Sequence, residues 1–316
     1  MKNILLSVLI LFSIIIGIKV FTFSREPDKK VVESKSAMSK SYNITSPEMP
    51  EHLDFCGEAV PLDTFYVNEQ LDRELLVNTY WHSSTLLLLK RANRWLPVIE
   101  PILKKNNIPD DFKYLALIES RLENITSPAG AKGYWQLMKK TAQQYGLEVN
   151  KEVDERYHVE KATEAACKYL KNAYDQFGSW TLAAASYNMG MGGLSNRLKQ
   201  QKTNYYYDLL LNDETGRYIY RTLAIKLIME NPEEYGFSLH KEDLYPPLKY
   251  HTVTVDSTIG SWVDFAKNYG ISYRVLKELN PWLRSRSLSN PYGRTYEIKL
   301  PDPALFHYRE LQSQQK

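Results

Sequence analysis

From about residue 51 onward, apolar residues recur at spacings of three and four, the pattern of helices that bury one stripe. Leu71 to Tyr80, Thr85 to Leu96 and Val98 to Lys105 carry it first, the last two on either side of Pro97. Pro109-Asp110-Asp111 starts a helix over Phe112 to Leu122. Glu160 to Phe177 forms a long helix ending at Gly178, and the Ala-rich segment Trp180 to Tyr187 a short one, punctuated by Met189-Gly190-Met191-Gly192-Gly193. Tyr218 to Met229 is a further amphipathic helix, stopped by Asn231-Pro232. This much helix commits the first part of the chain to a mainly α fold.

The pattern changes at Tyr245-Pro246-Pro247, which reads as a linker. Tyr250 to Val255 and Tyr296 to Leu300 alternate like strands, with helical segments Ile259 to Tyr269 and Tyr273 to Leu279 between them. The second part is therefore a small α+β module of βααβ order.

The N-terminus is a short basic start followed by a nearly unbroken apolar run from Ile4 to Phe23, interrupted by Lys19. It reads as a signal or membrane anchor over residues 1–24, long enough to cross a bilayer and without an A-x-A-like cleavage site. Residues 25–50 are Ser-, Lys-, Glu- and Pro-rich, the composition of a flexible linker. The remaining boundaries are a helical domain over 51–244 with its core in 93–235, the module over 245–303, and a polar tail over 304–316.

With 43% hydrophobic and 24% charged residues, the 316-residue chain is globular rather than disordered. A net charge of +3 is too mild for a nucleic-acid partner. Six scattered His and two Cys show no metal-ligand spacing, so neither a metal nor another cofactor is expected. Whether Cys56 and Cys167 pair is open at this level.

One helix carries an anomaly. In Phe112 to Leu122, Glu119 stands among Phe112, Leu115, Ala116 and Leu122 at helical spacing, inside the apolar stripe. Buried there, a carboxyl group loses hydration and its pKa rises toward the range a general acid needs, while a Glu at the end of the stripe that pairs with a Lys or Arg or turns to solvent is the alternative this helix alone leaves open. Three polar and aromatic groups follow in order. Gly133-Tyr134-Trp135-Gln136 ends a Gly-rich loop, Ser186-Tyr187-Asn188 closes a helix, and Tyr218 opens another. Amides beside ring faces are the mixture that binds sugars, although each piece alone also serves packing and capping.

In this order, Glu119-Ser120, Gly133-Tyr134-Trp135-Gln136, Ser186-Tyr187-Asn188 and Tyr218 resemble the motifs of family 1 lytic transglycosylases, over roughly residues 93–235. The family's usual Leu is replaced by Tyr134 and its usual Ala by Ser186. The resemblance implies a lysozyme-like helical catalytic domain in the bacterial envelope, on its periplasmic side, acting on peptidoglycan glycan strands. It implies Glu119 as sole acid/base and 1,6-anhydromuramyl products. It further implies that Ser120 orients Glu119, that Gln136, Tyr187 and Asn188 hold the sugar's acetamido region beside Trp135, and that Tyr218 supports Glu119.

The segment 250–301 resembles a LysM module through Asp256-Ser257-Thr258-Ile259, Tyr269-Gly270-Ile271 and Leu279-Asn280-Pro281, and such modules bind N-acetylglucosamine-containing glycans. Its stretch Arg284 to Arg294 is longer and more basic than usual. Two other functions compete. A hydrolytic, goose-type muramidase would need a second acid from Glu123, Asp154 or Glu155. A non-catalytic peptidoglycan-binding scaffold would need neither.

Overall fold

The computed structural model describes residues 44–313. The expected anchor and most of the expected linker lie outside the described residues. Among the described residues, no helix is long and apolar enough to cross a membrane.

A small hairpin of β1 (Asp54–Phe55) and β2 (Glu58–Ala59) precedes the helices. They run α1 (Phe65–Tyr80), α2 (His82–Lys105), α3 (Lys113–Ser120), α4 (Lys139–Gln144), α5 (Val159–Phe177), α6 (Trp180–Met189), α7 (Met191–Gln201), α8 (Asp213–Gly216) and α9 (Tyr218–Glu230). The second part follows as β3 (Tyr250–Val255), α10 (Trp262–Asn268), α11 (Tyr273–Leu279), β4 (Tyr296–Pro301) and a terminal α12 (Tyr308–Ser313). Strands β3 and β4 pair antiparallel with Tyr250 opposite Pro301 and Val255 opposite Tyr296. The architecture is the expected one, mainly helical with a small βααβ unit.

Two local expectations are corrected. Pro97 does not divide two helices, because α2 runs through both Pro97 and Pro101. Each proline removes one backbone hydrogen bond, at about 3 kcal/mol in a helix interior. Packing holds the helix together, with Ala92, Ile99 and Leu103 buried along one face across both prolines. The Gly-rich stretch after α6 does not end helical structure either. Gly190 turns at φ +79°, and α7 begins at Met191.

The main core gathers the inner faces of α1, α2, α3, α5, α6 and α9. A second cluster holds Val255, Trp262, Leu276, Trp282, Tyr296 and Ile298 together with Val153 and Tyr157 from the helical part. The two parts therefore share a packed seam. Backbone bonds reinforce it, from Asp154 N to Trp282 O at 2.9 Å and from Arg284 N to Glu152 O at 2.7 Å.

Candidate active site

Helix α3 stops one residue after Glu119. Arg121 and Leu122 take the left-handed conformation at φ 50° and 55°, which turns the chain away and leaves Glu119 on the last helical turn. Leu115, Ala116 and Leu117 are fully buried beneath it. Glu119 keeps part of its surface, but its carboxyl lies deep among protein atoms. Desolvation pushes its pKa from 4.5 up to about 7. The Tyr218 hydroxyl, which donates to Glu119 Oε1 at 2.6 Å, and the positive charge of Arg221 oppose this rise, while Glu214 adds to it. At neutral pH the carboxyl thus exists in both protonation states, as a group that both gives and takes a proton requires.

The loop bearing Gln136 is built around Gly133. At φ +77°, a Cβ there would sit 1.8 Å from the Arg156 carbonyl oxygen, so only glycine fits. Arg156 braces the same loop. Its guanidinium makes two bonds to Asp154, at 2.8 and 2.7 Å, and donates to the carbonyls of Gly130 and Leu137, both at 3.2 Å. Gln136 itself is left-handed at φ 45°. Its Nε2 donates to the carbonyls of Gly133 and Ile125 at 2.7 and 3.2 Å, which leaves Oε1 as an acceptor.

Tyr187 and Asn188 lie on the last turn of α6, both part-exposed. The Tyr187 hydroxyl donates to the Trp135 carbonyl at 2.7 Å, and its pKa is raised by burial and by the Glu119 charge. Tyr218, 3% exposed, reaches Glu119 from the first residue of α9.

Ser120, expected to bond and orient Glu119, and Trp135, expected beside the sugar, stand differently. Ser120 is 2% exposed, and its hydroxyl meets the carbonyls of Tyr134 at 2.8 Å and Ala116 at 3.2 Å rather than the Glu119 carboxyl. It ties α3 to the loop. Trp135 is fully buried, with Nε1 donating to Thr163 Oγ1 at 2.8 Å, so its ring is core and offers no face to a ligand.

The other acids are engaged. Glu123 pairs with Arg91 at 2.6 Å, Asp154 is buried against Arg156, and Glu155 binds Lys161 and the Glu148 amide. A charged neighbour of Glu119 that the motifs did not mark is Arg221, held 3.7 Å from the fully buried Glu74, which Arg217 also binds at 2.5 Å. Its position three residues after Tyr218, on the same helix face, was a legible signal. The two cysteines are free.

Residues 97–209 match the family model described as the transglycosylase SLT domain. Residues 251–304 match that of the soluble lytic transglycosylase C-terminal LysM-like domain. The chain thus carries an SLT transglycosylase domain of lysozyme-like helical fold followed by a LysM-like module. It is 30% identical over 228 residues to the membrane-bound lytic murein transglycosylase D of Escherichia coli K12, covering 70% of this chain and 49% of that protein. The same figures hold for the protein of that name from Escherichia coli O6:H1 strain CFT073. The chain spans about half the length of the curated relatives it matches.

Proposed function

We propose that the protein is a peptidoglycan lytic transglycosylase that cleaves the β-1,4 bond between N-acetylmuramic acid and N-acetylglucosamine without consuming water. The observation that carries this reading is Glu119, a carboxyl raised to about 7 by burial and gripped by Tyr218, inside the SLT-matched segment. Protonated Glu119 donates to the glycosidic oxygen as the bond from C1 breaks, and the substrate's own acetamido group stabilises the positive charge that develops. The resulting carboxylate takes the proton of the muramyl C6 hydroxyl. That oxygen closes on C1 and forms the 1,6-anhydro ring, returning Glu119 to its acid form.

Gln136 Oε1 and the Asn188 amide hold the acetamido region, and Tyr187 borders it. Ser120 and Trp135 act at one remove, by fixing the loop. The pairing of Glu123, Asp154 and Glu155 supports a one-carboxylate mechanism over the hydrolytic one. The LysM-like module binds glycan and keeps the enzyme on its polymer. The apolar N-terminal run and the names of the relatives support a place in the cell envelope, with the catalytic domain on the periplasmic side of the membrane.

Mass spectrometry of the products from purified peptidoglycan tests this. Anhydro-ended muropeptides are expected. Reducing-ended products, heavier by one water, would make the protein a muramidase, and binding without release would make it a scaffold.

A further inference from the structure

We propose that the LysM-like module positions the loop that carries Gln136, with Arg284 of the module as a positioning residue that acts through segment 148–158. The role of Gln136 in turnover rests on the transglycosylase reading, whereas the mechanical link does not.

Segment 148–158 has little structure of its own. It holds a tight turn, closed by the Asn150 amide on the Val153 carbonyl at 2.7 Å, and a 3-10 turn over Glu155–Tyr157. Its shape is therefore set by what packs on it. Leu147 and Val149 belong to the main core, and Val153 and Tyr157 to the cluster built with the module. The segment is a strap held by two cores.

On the module side, the chain after α11 pairs with this strap. Val153 and Leu283, both fully buried, stand opposite each other in an isolated antiparallel bridge. The bonds from Asp154 N to Trp282 O and from Arg284 N to Glu152 O flank that pair. Side chains add to it. Glu148 accepts from the Tyr296 hydroxyl at 3.0 Å and pairs with Arg294 at 2.7 Å, and Glu152 accepts from the Ser289 hydroxyl at 2.8 Å. The Arg284 guanidinium donates to the Pro281 carbonyl at 2.9 Å and lies 4.3 Å from the centre of the Tyr157 ring.

On the cleft side, the same strap holds the loop over 124–137. Tyr157, beneath Arg284, shares a hydroxyl–hydroxyl bond with Thr126 at 2.9 Å, and its carbonyl accepts from Asn124 Nδ2 at 3.3 Å. Arg156 donates to the Gly130 and Leu137 carbonyls, and its own carbonyl packs against Gly133. Asp154 joins the two sides. The module's Trp282 carbonyl takes its amide, while its carboxylate anchors Arg156. A shift of the module therefore moves the groups that frame Gln136. A module that served only as a tether for the polymer would need a linker and none of these contacts.

Steady-state kinetics of the full chain on a soluble tetrasaccharide of alternating N-acetylglucosamine and N-acetylmuramic acid test the link. Arg284→Ala should lower kcat/KM about threefold, as loss of an exposed cation–π contact allows, and Arg284→Lys, which keeps the cation, should recover most of it. Tyr157→Phe keeps the ring beneath Arg284, loses the bond to Thr126, and should also cost about threefold. Leu283→Ala, which leaves a cavity against Val153, should cost about tenfold or more. In a Gln136→Ala background these changes should cost nothing further, because they act through Gln136. Losses that multiply with that of Gln136→Ala, or losses on whole peptidoglycan without losses on the tetrasaccharide, would overturn the proposal. Should Leu283→Ala fail to fold, Arg284→Ala and Tyr157→Phe carry the test.

Hydrogen exchange gives a readout that needs no activity. The Lys132 and Leu137 amides bond to each other's carbonyls, both at 3.2 Å. Arg284→Ala should speed their exchange about threefold and leave the amides of α9 unchanged. Faster exchange there, in a chain that releases no anhydro products, would remove the enzymatic reading and leave the link. Anhydro products with unaltered exchange would do the reverse.

Discussion

The Tyr218 hydroxyl donates to Oε1 of Glu119 at 2.6 Å across a sequence separation of 99 residues. The bond favours the charged carboxylate and so holds down a pKa that burial drives up. Replacing Tyr218 with Phe removes that restraint without changing shape. The limb of the pH–rate profile that falls as Glu119 loses its proton should move to higher pH, by about one unit for one charge-assisted bond. An unmoved limb in a peptidoglycan-clearing assay would mean that Tyr218 does not set the acid.

Glu119→Gln should abolish turnover and preserve the fold. It should also alter how stability responds to pH. Burial raises the folded-state pKa from 4.5 to about 7, so between these values the folded state binds more protons than the unfolded chain. Stability from this group is full below about 4.5, declines as pH rises toward 7, and is flat above. The Gln variant lacks that decline and should gain on the wild type by roughly 2 kcal/mol or more at pH 8. Urea unfolding at pH 5 and pH 8 measures the difference, and parallel curves would contradict a buried acid.

Gly133→Ala should be severe. The added Cβ meets the Arg156 carbonyl oxygen at 1.8 Å, and the backbone is already at φ +77°. The loop must move, at a cost of about 3 kcal/mol or more, and Gln136 moves with it. Gly130→Ala is the matched control, with φ +86° but open space around the Cβ, and should cost only about 1 kcal/mol. Thermal unfolding of the two variants should rank them in that order.

Trp135→Phe separates core from contact. The indole is fully buried and bonded to Thr163, so its loss should lower stability by about 1–3 kcal/mol and leave KM for peptidoglycan near the wild-type value. A raised KM at unchanged stability would return Trp135 to the sugar site.

Helix α3 and the boundaries of β3, α5 and α11 followed from local periodicity and caps, and Glu119 stood out as a Glu in an apolar stripe, while its role as an acid is what the ordered motifs imply. Pro97 misled because its cost is local, while the burial of Ile99 and Leu103 that outweighs it depends on partners distant in the chain. Trp135 was placed beside the sugar, and Ser120 against the Glu119 carboxyl, because motif membership does not record direction. Adjacent residues on the tight turn at Gly133 differ in burial, with Trp135 fully buried in the core and Gln136 part-exposed.

By itself, then, the order of residues determined the helical class and the βααβ module, since each rests on spacings within a few turns of chain, and its ordered motifs singled out Glu119 as the candidate acid. Only the tertiary structure decided that Tyr218 and Arg221 bear on Glu119 and that Arg156 braces the Gln136 loop. Burial and charge pairing depend on distance in space, and residues remote in sequence come within those distances only when the chain is packed.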